Sequence, residues 1–246
     1  MKNPATMPRQ RERDLNRTQE RILAAAQKEF AAHGFAGART DAIARRARVN
    51  ERMIFYCFNS KEGLYRAVLA QKMSAKTAII ESRPDEDFTS SLVRGFAECC
   101  DDVDALRMWQ WEALDQSNRK LVAEQERRTY FQAEVGRWRR AKAGGSLPFD
   151  ADEEMLMLAS AALRAFPLAM PQATALIAGM DPLDPEFRRR WTASLKWIGQ
   201  RLFARAIKGG GELDVKADDS AGQNKTPGKT RRQHHANGRS NVKADR

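Results

Sequence analysis

The chain has 246 residues, 42% of them hydrophobic, and a formal net charge of +11, enough for one sizeable domain or two small ones with packed cores. No apolar run approaches the roughly 18 residues of a membrane span, and the polar, basic stretch from Met1 to Asp14 lacks the apolar segment of a secretory signal. Three cysteines, Cys57, Cys99 and Cys100, show no metal-ligand spacing, so a reduced cytoplasmic protein without metal or cofactor is expected.

Charge is unevenly spread. Residues 1–66 carry 14 Lys/Arg against 7 Asp/Glu, residues 67–207 carry 20 of each, and residues 208–246 carry 9 against 5. A neutral middle between basic ends points to a polyanion partner. Residues 1–17, with Pro4 and Pro8 and no apolar periodicity, read as a flexible basic arm. The first helix is expected over about Thr18–Ala32, with Ile22, Ala26 and Phe30 as its apolar stripe and Gly34 as its stop. A second runs about Thr40–Ala47 with Thr40 as N-cap. A third runs about Asn50–Tyr56, and a fourth from Lys61 to about Ser82, capped by Ser60. Longer helices follow at about Asp87–Asp101, Val103–Asp115, Arg119–Lys142, Asp152–Phe166 and Pro185–Ile207, with Pro167, Pro171, Pro182 and Pro185 as punctuation. No strand-like alternation appears, so the fold class is all-α. Residues 208–246 lack the apolar content to offset chain entropy and read as a disordered basic tail.

The stretch RTDAIARRARVNERMIFYCFNSKEGL, Arg39 to Leu64, carries the function. Two short helices meet at a turn, with Ile43, Ala44, Val49 and Ile54 as the contacts that lock them into a helix-turn-helix. The outer face of the second presents Asn50, Glu51, Arg52, Met53, Phe55 and Tyr56. An α-helix fits the major groove of duplex DNA and reads base edges from its first turns. Arg52 suits guanine, Asn50 a base or a phosphate, and Met53 or Phe55 a thymine methyl. Arg39, Thr40, Arg48, Tyr56 and Lys61 are phosphate candidates, the helix starts at Thr40 and Ser60 adding backbone N–H groups.

The runs RILAAAQKEFAAHGF, TDAIARRARV and IFYCFNSKEGLYRAVL are very similar to the N-terminal domain of the tetracycline-repressor (TetR) family of bacterial regulators. The resemblance covers about Thr18–Leu69 and beyond it is architectural only. It implies an all-helical homodimer in which residues 18–66 bind DNA and residues 67–207 enclose a ligand and pair. It also implies a repressor of a palindromic operator, cytoplasmic and nucleoid-associated, released when a ligand moves the fourth helix. Three positions depart from the family. Arg48 stands where the turn usually has Gly, at a cost of roughly 1 kcal/mol if the backbone there is left-handed. Cys57 stands where Tyr or His is usual. Glu51 would either repel a phosphate or accept from a cytosine amino group.

In the second domain, Phe96, Met108, Trp109, Trp111, Phe131, Trp138 and Met155 are the candidate lining of an apolar cavity for an apolar or aromatic effector. Trp109 and Trp111, two apart on a helix, cannot both face it. Small residues along the helix from Asp152 suit close helix approach. The dimer candidates are Met155, Ala159, Ala162 and Phe166 there, with Trp191, Leu195, Ile198 and Leu202 on the last helix. Two other functions compete. A non-specific architectural DNA-binding protein would rely on the basic ends. An enzyme working in the apolar cavity is disfavoured, because His33 is the only histidine outside the tail and no nucleophile elbow, phosphate loop or metal motif is present.

Overall fold

A computed structural model describes residues 7–115, 121–148 and 150–203. The described residues fold into ten helices and no strand. α1 spans Met7–Gly37, α2 Thr40–Ala47, α3 Glu51–Phe58 and α4 Lys61–Glu81. α5 spans Phe88–Asp101, α6 Val103–Leu114, α7 Glu124–Ala143, α8 Glu153–Ala169, α9 Pro171–Ala178 and α10 Pro185–Phe203. The expected tail over 208–246 lies outside the described residues, as do the first six residues of the expected arm and the expected start of α7 at Arg119.

Three elements differ from the sequence reading. Residues 7–17 are not an unstructured arm but the first turns of α1. Pro8 falls in the opening turn, where proline costs no hydrogen bond, and the polar residues after it are mostly good helix formers. α8 runs through Pro167 to Ala169. Pro171, read as a breaker, instead opens α9, its fixed φ suiting a first helical position.

Ile22, Ala26 and Phe30 of α1 meet Ile43 of α2, Ile54 of α3 and Leu64 and Leu69 of α4 in one buried cluster. Phe30 packs edge-on to Tyr65 with ring centroids 4.8 Å apart. α1 breaks its helical geometry at Gly34 (φ 68°, ψ 178°), the expected stop, before one further turn. The Trp111 ring of α6 lies 3.1 Å from where a Cβ on Gly34 would sit, and Trp111 Nε1 donates to Ala31 O at 3.1 Å. Met108 of α6 joins the same core. The N-terminal helices are thus packed on α6 as well as on one another.

A second cluster holds α5, α7, α8 and α10 together through Leu92, Phe96, Trp138, Met157, Phe187 and Leu195. α5 and α10 approach closely, since a Cβ on Gly199 would meet Thr89 Oγ1 at 2.4 Å. Between α5, α7 and α8 lies a buried charge network. Arg137 donates to Glu134 at 2.5 Å, to Ser91 Oγ at 2.6 Å and to Glu86 at 2.9 Å. Glu86 also takes two 2.8 Å bonds from Arg94. Burial pushes the Glu86 carboxyl up, but Arg94 and Arg137 outweigh it and hold it below the usual carboxylate range.

Candidate nucleic-acid interface and ligand cavity

α2 and α3 have eight residues each and are too short to persist alone, so their placement comes from capping and packing. Asn50 caps α3, its Oδ1 accepting from Arg52 N at 2.9 Å. Ser60 caps α4, accepting from Gly63 N at 3.0 Å. Thr40 is not the cap of α2: Arg39 holds that position without a side-chain cap bond, and Thr40 is the first helical residue. The Thr40 hydroxyl donates instead to Glu51 Oε1 at 2.5 Å, tying the start of α2 to the start of α3. Glu51, left open between two roles by the sequence, is therefore engaged inside the motif.

The turn between α2 and α3 is left-handed at Arg48 (φ 54°, ψ 49°). Its backbone N–H bonds Arg45 O, and Val49 N bonds Ala44 O. Arg21 of α1 brings Nη2 to Ala47 O and to Arg48 O, satisfying carbonyls that the helix end leaves unpaired. Sequence reasoning missed Arg21 because the pairing spans 26 residues. Arg21, Lys28, Arg46 and Arg48 line a shallow groove beside this turn.

On α3, Ile54 is 0% exposed while Tyr56 is 73% and Phe55 44% exposed. Arg52 and Asn50 are exposed and Met53 is half-buried. The Arg52 and Arg48 side chains make no hydrogen bond or ion pair among the described residues. Arg39 pairs with Asp41 at 3.0 Å and Arg45 with Asp41 at 2.8 Å. Those bonds, Arg45's first, hold the Asp41 carboxyl below its usual range. Lys61 Nζ donates to Ala36 O at 3.3 Å and sits 5.0 Å from the Phe35 ring centroid. Cys57 packs against the N-terminal core, and burial pushes its thiol up. The nine residues expected to face DNA thus fall on the start of α2, the turn, α3 and the start of α4.

A second feature is a cavity of about 110 Å³ enclosed by α4 to α8. Met108, Trp109 and Phe131 line it, as expected from the sequence. Phe96 and Trp138 do not: both are 1% exposed, inside the core of α5, α7, α8 and α10. Trp111 faces α1, and Met155 faces outward on α8. The sequence reading missed the cavity's polar wall, which includes Lys72, Lys76, Glu98, Asp102 and Arg164. One signal was present: Arg164 is the only charge within the apolar run MLMLASAALRAF. Cys99 also lines the cavity, and burial pushes its thiol up, keeping it protonated.

Asp102, at the junction of α5 and α6, joins the cavity wall to α1. It caps α6 through Ala105 N at 3.2 Å, pairs with Lys72 of α4 at 2.7 Å, and accepts from Gln27 Nε2 of α1.

The outer stripe of α8 presents Met155, Ala159, Ala162 and Phe166, all exposed. On α10 the inward face differs from the expected dimer face. Leu195 is 0% exposed in the chain's own core, Trp191 bonds Leu163 O at 3.2 Å, and Ile198 is half-buried. The approach of α10 to α5 uses that face, and Trp197, 57% exposed, points the other way. Leu202 lies in the last turn of α10, and its side chain is outside the described ones.

A braced pair of short helices, the second with its outer face bare, defines a helix-turn-helix DNA-binding regulator carrying a helical second domain. Residues 22–68 match the family described as bacterial regulatory proteins, tetR family. The HTH-type transcriptional repressor SCO4008 of Streptomyces coelicolor is 29% identical over 172 residues, covering 68% of this chain and 86% of that protein. The repressor NicS of Pseudomonas putida is 46% identical over 59 residues, 24% of this chain and 28% of its own. Among solved structures, Streptomyces coelicolor SCO4942 superposes with a TM-score of 0.59 at 25% identity, over 74% of this chain and 97% of that one. The fatty acid degradation regulator FadR from Bacillus halodurans shares the fold, with a TM-score of 0.55 at 21% identity over 76% and 94% of the two chains. Over its N-terminal helices the chain is thus similar to the tetR family of bacterial regulatory proteins, and the fold likeness extends through the helices that follow.

Proposed function

We propose that the chain is a repressor that binds a palindromic operator as a homodimer and leaves it when a small molecule fills the cavity among α4 to α8. The observation that carries this reading is the bare outer face of α3, where Phe55 and Tyr56 stand exposed while Ile54 anchors the helix. Arg52 reads a base edge, and the amide N–H groups of Asn50, whose oxygen is taken by the cap, donate to a base or phosphate. Phe55 and Met53 pack on thymine methyls. Arg39, Arg48, Tyr56, Lys61 and the uncapped N–H groups at Thr40 hold phosphates. Residues 18–66 form the reading head, and residues 67–207 sense the ligand and pair through α8 and the Trp197 side of α10. Such a protein works in the cytoplasm on the nucleoid. The effector must bind the released arrangement more tightly than the operator-bound one.

Selection of bound DNA from a random pool tests the reading. The expected winner is a palindrome whose half-sites lie about one or two helical turns apart. A pool without sequence preference would favour a non-specific architectural protein. Retention of full operator affinity in the presence of a compound shown to occupy the cavity would refute release.

A further inference from the structure

Resting on the reading of the cavity as the effector site, we propose that its ligand is a monocyclic aromatic carboxylate, held by Lys76 and Arg164 against Trp109 and Tyr130. Size sets the first limit. The cavity has about 110 Å³, and an apolar cavity of roughly 150 Å³ takes up a benzene. At less than that volume the cavity admits at most a single ring with a small substituent, and only as a flexible wall side chain such as Lys76 gives way, whereas a long acyl chain is excluded.

Charge sets the second. The lining holds three cations, Lys72, Lys76 and Arg164, against two carboxylates, Glu98 and Asp102. Both carboxylates are engaged, Glu98 with Arg94 at 2.6 Å and Asp102 with Lys72 at 2.7 Å. Lys76 makes no ion pair among the described residues. Its ammonium rests on ring faces, 5.8 Å from the Trp109 centroid and 6.0 Å from that of Tyr130. Arg164 is buried, and its carboxylate neighbour Glu134 is 3.8 Å away and already held by Arg137 at 2.5 Å. A fourth cation, Arg127, stands outside the lining, 5.9 Å from the Trp109 ring and paired with Glu112 at 2.7 Å, and its Nε and Nη2 are buried without a hydrogen-bond partner among the described residues. Under-compensated cations in a partly dry site favour an anion. A carboxylate supplies charge-assisted acceptors, and guanidinium and ammonium groups both suit it.

Shape sets the third. A Cβ on Gly95 would meet Arg164 Cδ at 2.1 Å, so the glycine lets the arginine lie along α5 at the cavity wall. Trp109, Tyr130 and Phe131 then offer ring faces and edges to an aromatic body, the Trp109 and Phe131 centroids 6.0 Å apart.

Calorimetric titration of the full chain, without DNA, with benzoate, its neutral isostere benzamide and octanoate tests this. Benzoate is expected to bind at least about tenfold more tightly than either. Lys76→Met should weaken benzoate at least about tenfold and leave benzamide unchanged, and Lys76→Arg should restore the preference for the acid. Equal affinity for benzoate and benzamide, tighter binding of octanoate, or a benzoate preference untouched by Lys76→Met would each overturn the assignment. Operator affinity is read separately. Benzoate that binds with this pattern but leaves DNA affinity unchanged supports the ligand class and refutes release. A neutral compound that frees the operator while benzoate does not bind refutes the ligand class and keeps release.

Discussion

Arg48 holds a left-handed backbone (φ 54°) at the turn, with its side chain exposed beside Arg21 and Arg46. A non-glycine residue there costs roughly 1 kcal/mol, and on the proposed function a phosphate contact is the compensating gain. Arg48→Gly is therefore expected to raise stability by up to about 1 kcal/mol in urea unfolding while lowering operator affinity and the salt dependence of binding by about one unit. A variant that gains stability and keeps both DNA properties would remove Arg48 from the interface. This residue was legible in the sequence, because its departure from glycine at a known turn forecasts the backbone. Glu51 was not: its choice between groove and bracing depended on where the Thr40 hydroxyl would lie, which spacing alone does not fix.

α3 and α4 were legible nearly to the residue because Asn50 and Ser60 are strong caps placed just before apolar periodicity. α9 and the first turns of α1 were missed for the same reason in reverse: Pro171 and Pro8 were read as breakers where they act as starters. The role of the α10 face was not legible, since an apolar stripe of Trp191, Leu195 and Ile198 suits the chain's own core as well as a partner, and here it packs inward. Among α5, α7 and α8, the Glu86 carboxylate is a stability element with a defined pH window. Its folded pKa lies below the unfolded value near 4.5. Its contribution is thus complete above about pH 4.5 and is lost as pH falls through the depressed folded value. Glu86→Gln leaves Arg94 and Arg137 without that partner and is expected to cost about 3 kcal/mol at pH 7. The acid limb of its stability curve should become shallower. Denaturant midpoints across pH 3–7 that parallel the wild type would contradict this.

At the scale of the whole molecule, exposed Met155, Leu158, Phe166 and Trp197 form apolar surface on α8 and α10 that the described residues do not cover. A twofold interface repeats each contact, so one buried charge appears twice. Trp197→Glu is expected to weaken self-association at least about a hundredfold by sedimentation while helix content by circular dichroism stays intact. Unchanged association would place the interface elsewhere. The helix-turn-helix was legible from charge and motif. Its lock to the later helices was not, because Trp111 against Gly34 and Asp102 against Gln27 join positions more than 70 residues apart. That second joint has a thermodynamic corollary. One carboxylate is held in common by a helix of the N-terminal bundle and by a lysine of the cavity wall, so on the proposed function operator and effector would be coupled through it. Whatever factor a ligand removes from operator affinity, the operator must remove from ligand affinity. If the proposed release holds, sensitivity to the effector falls as the number of operator copies in the cell rises, and Asp102→Asn should sever both dependences together.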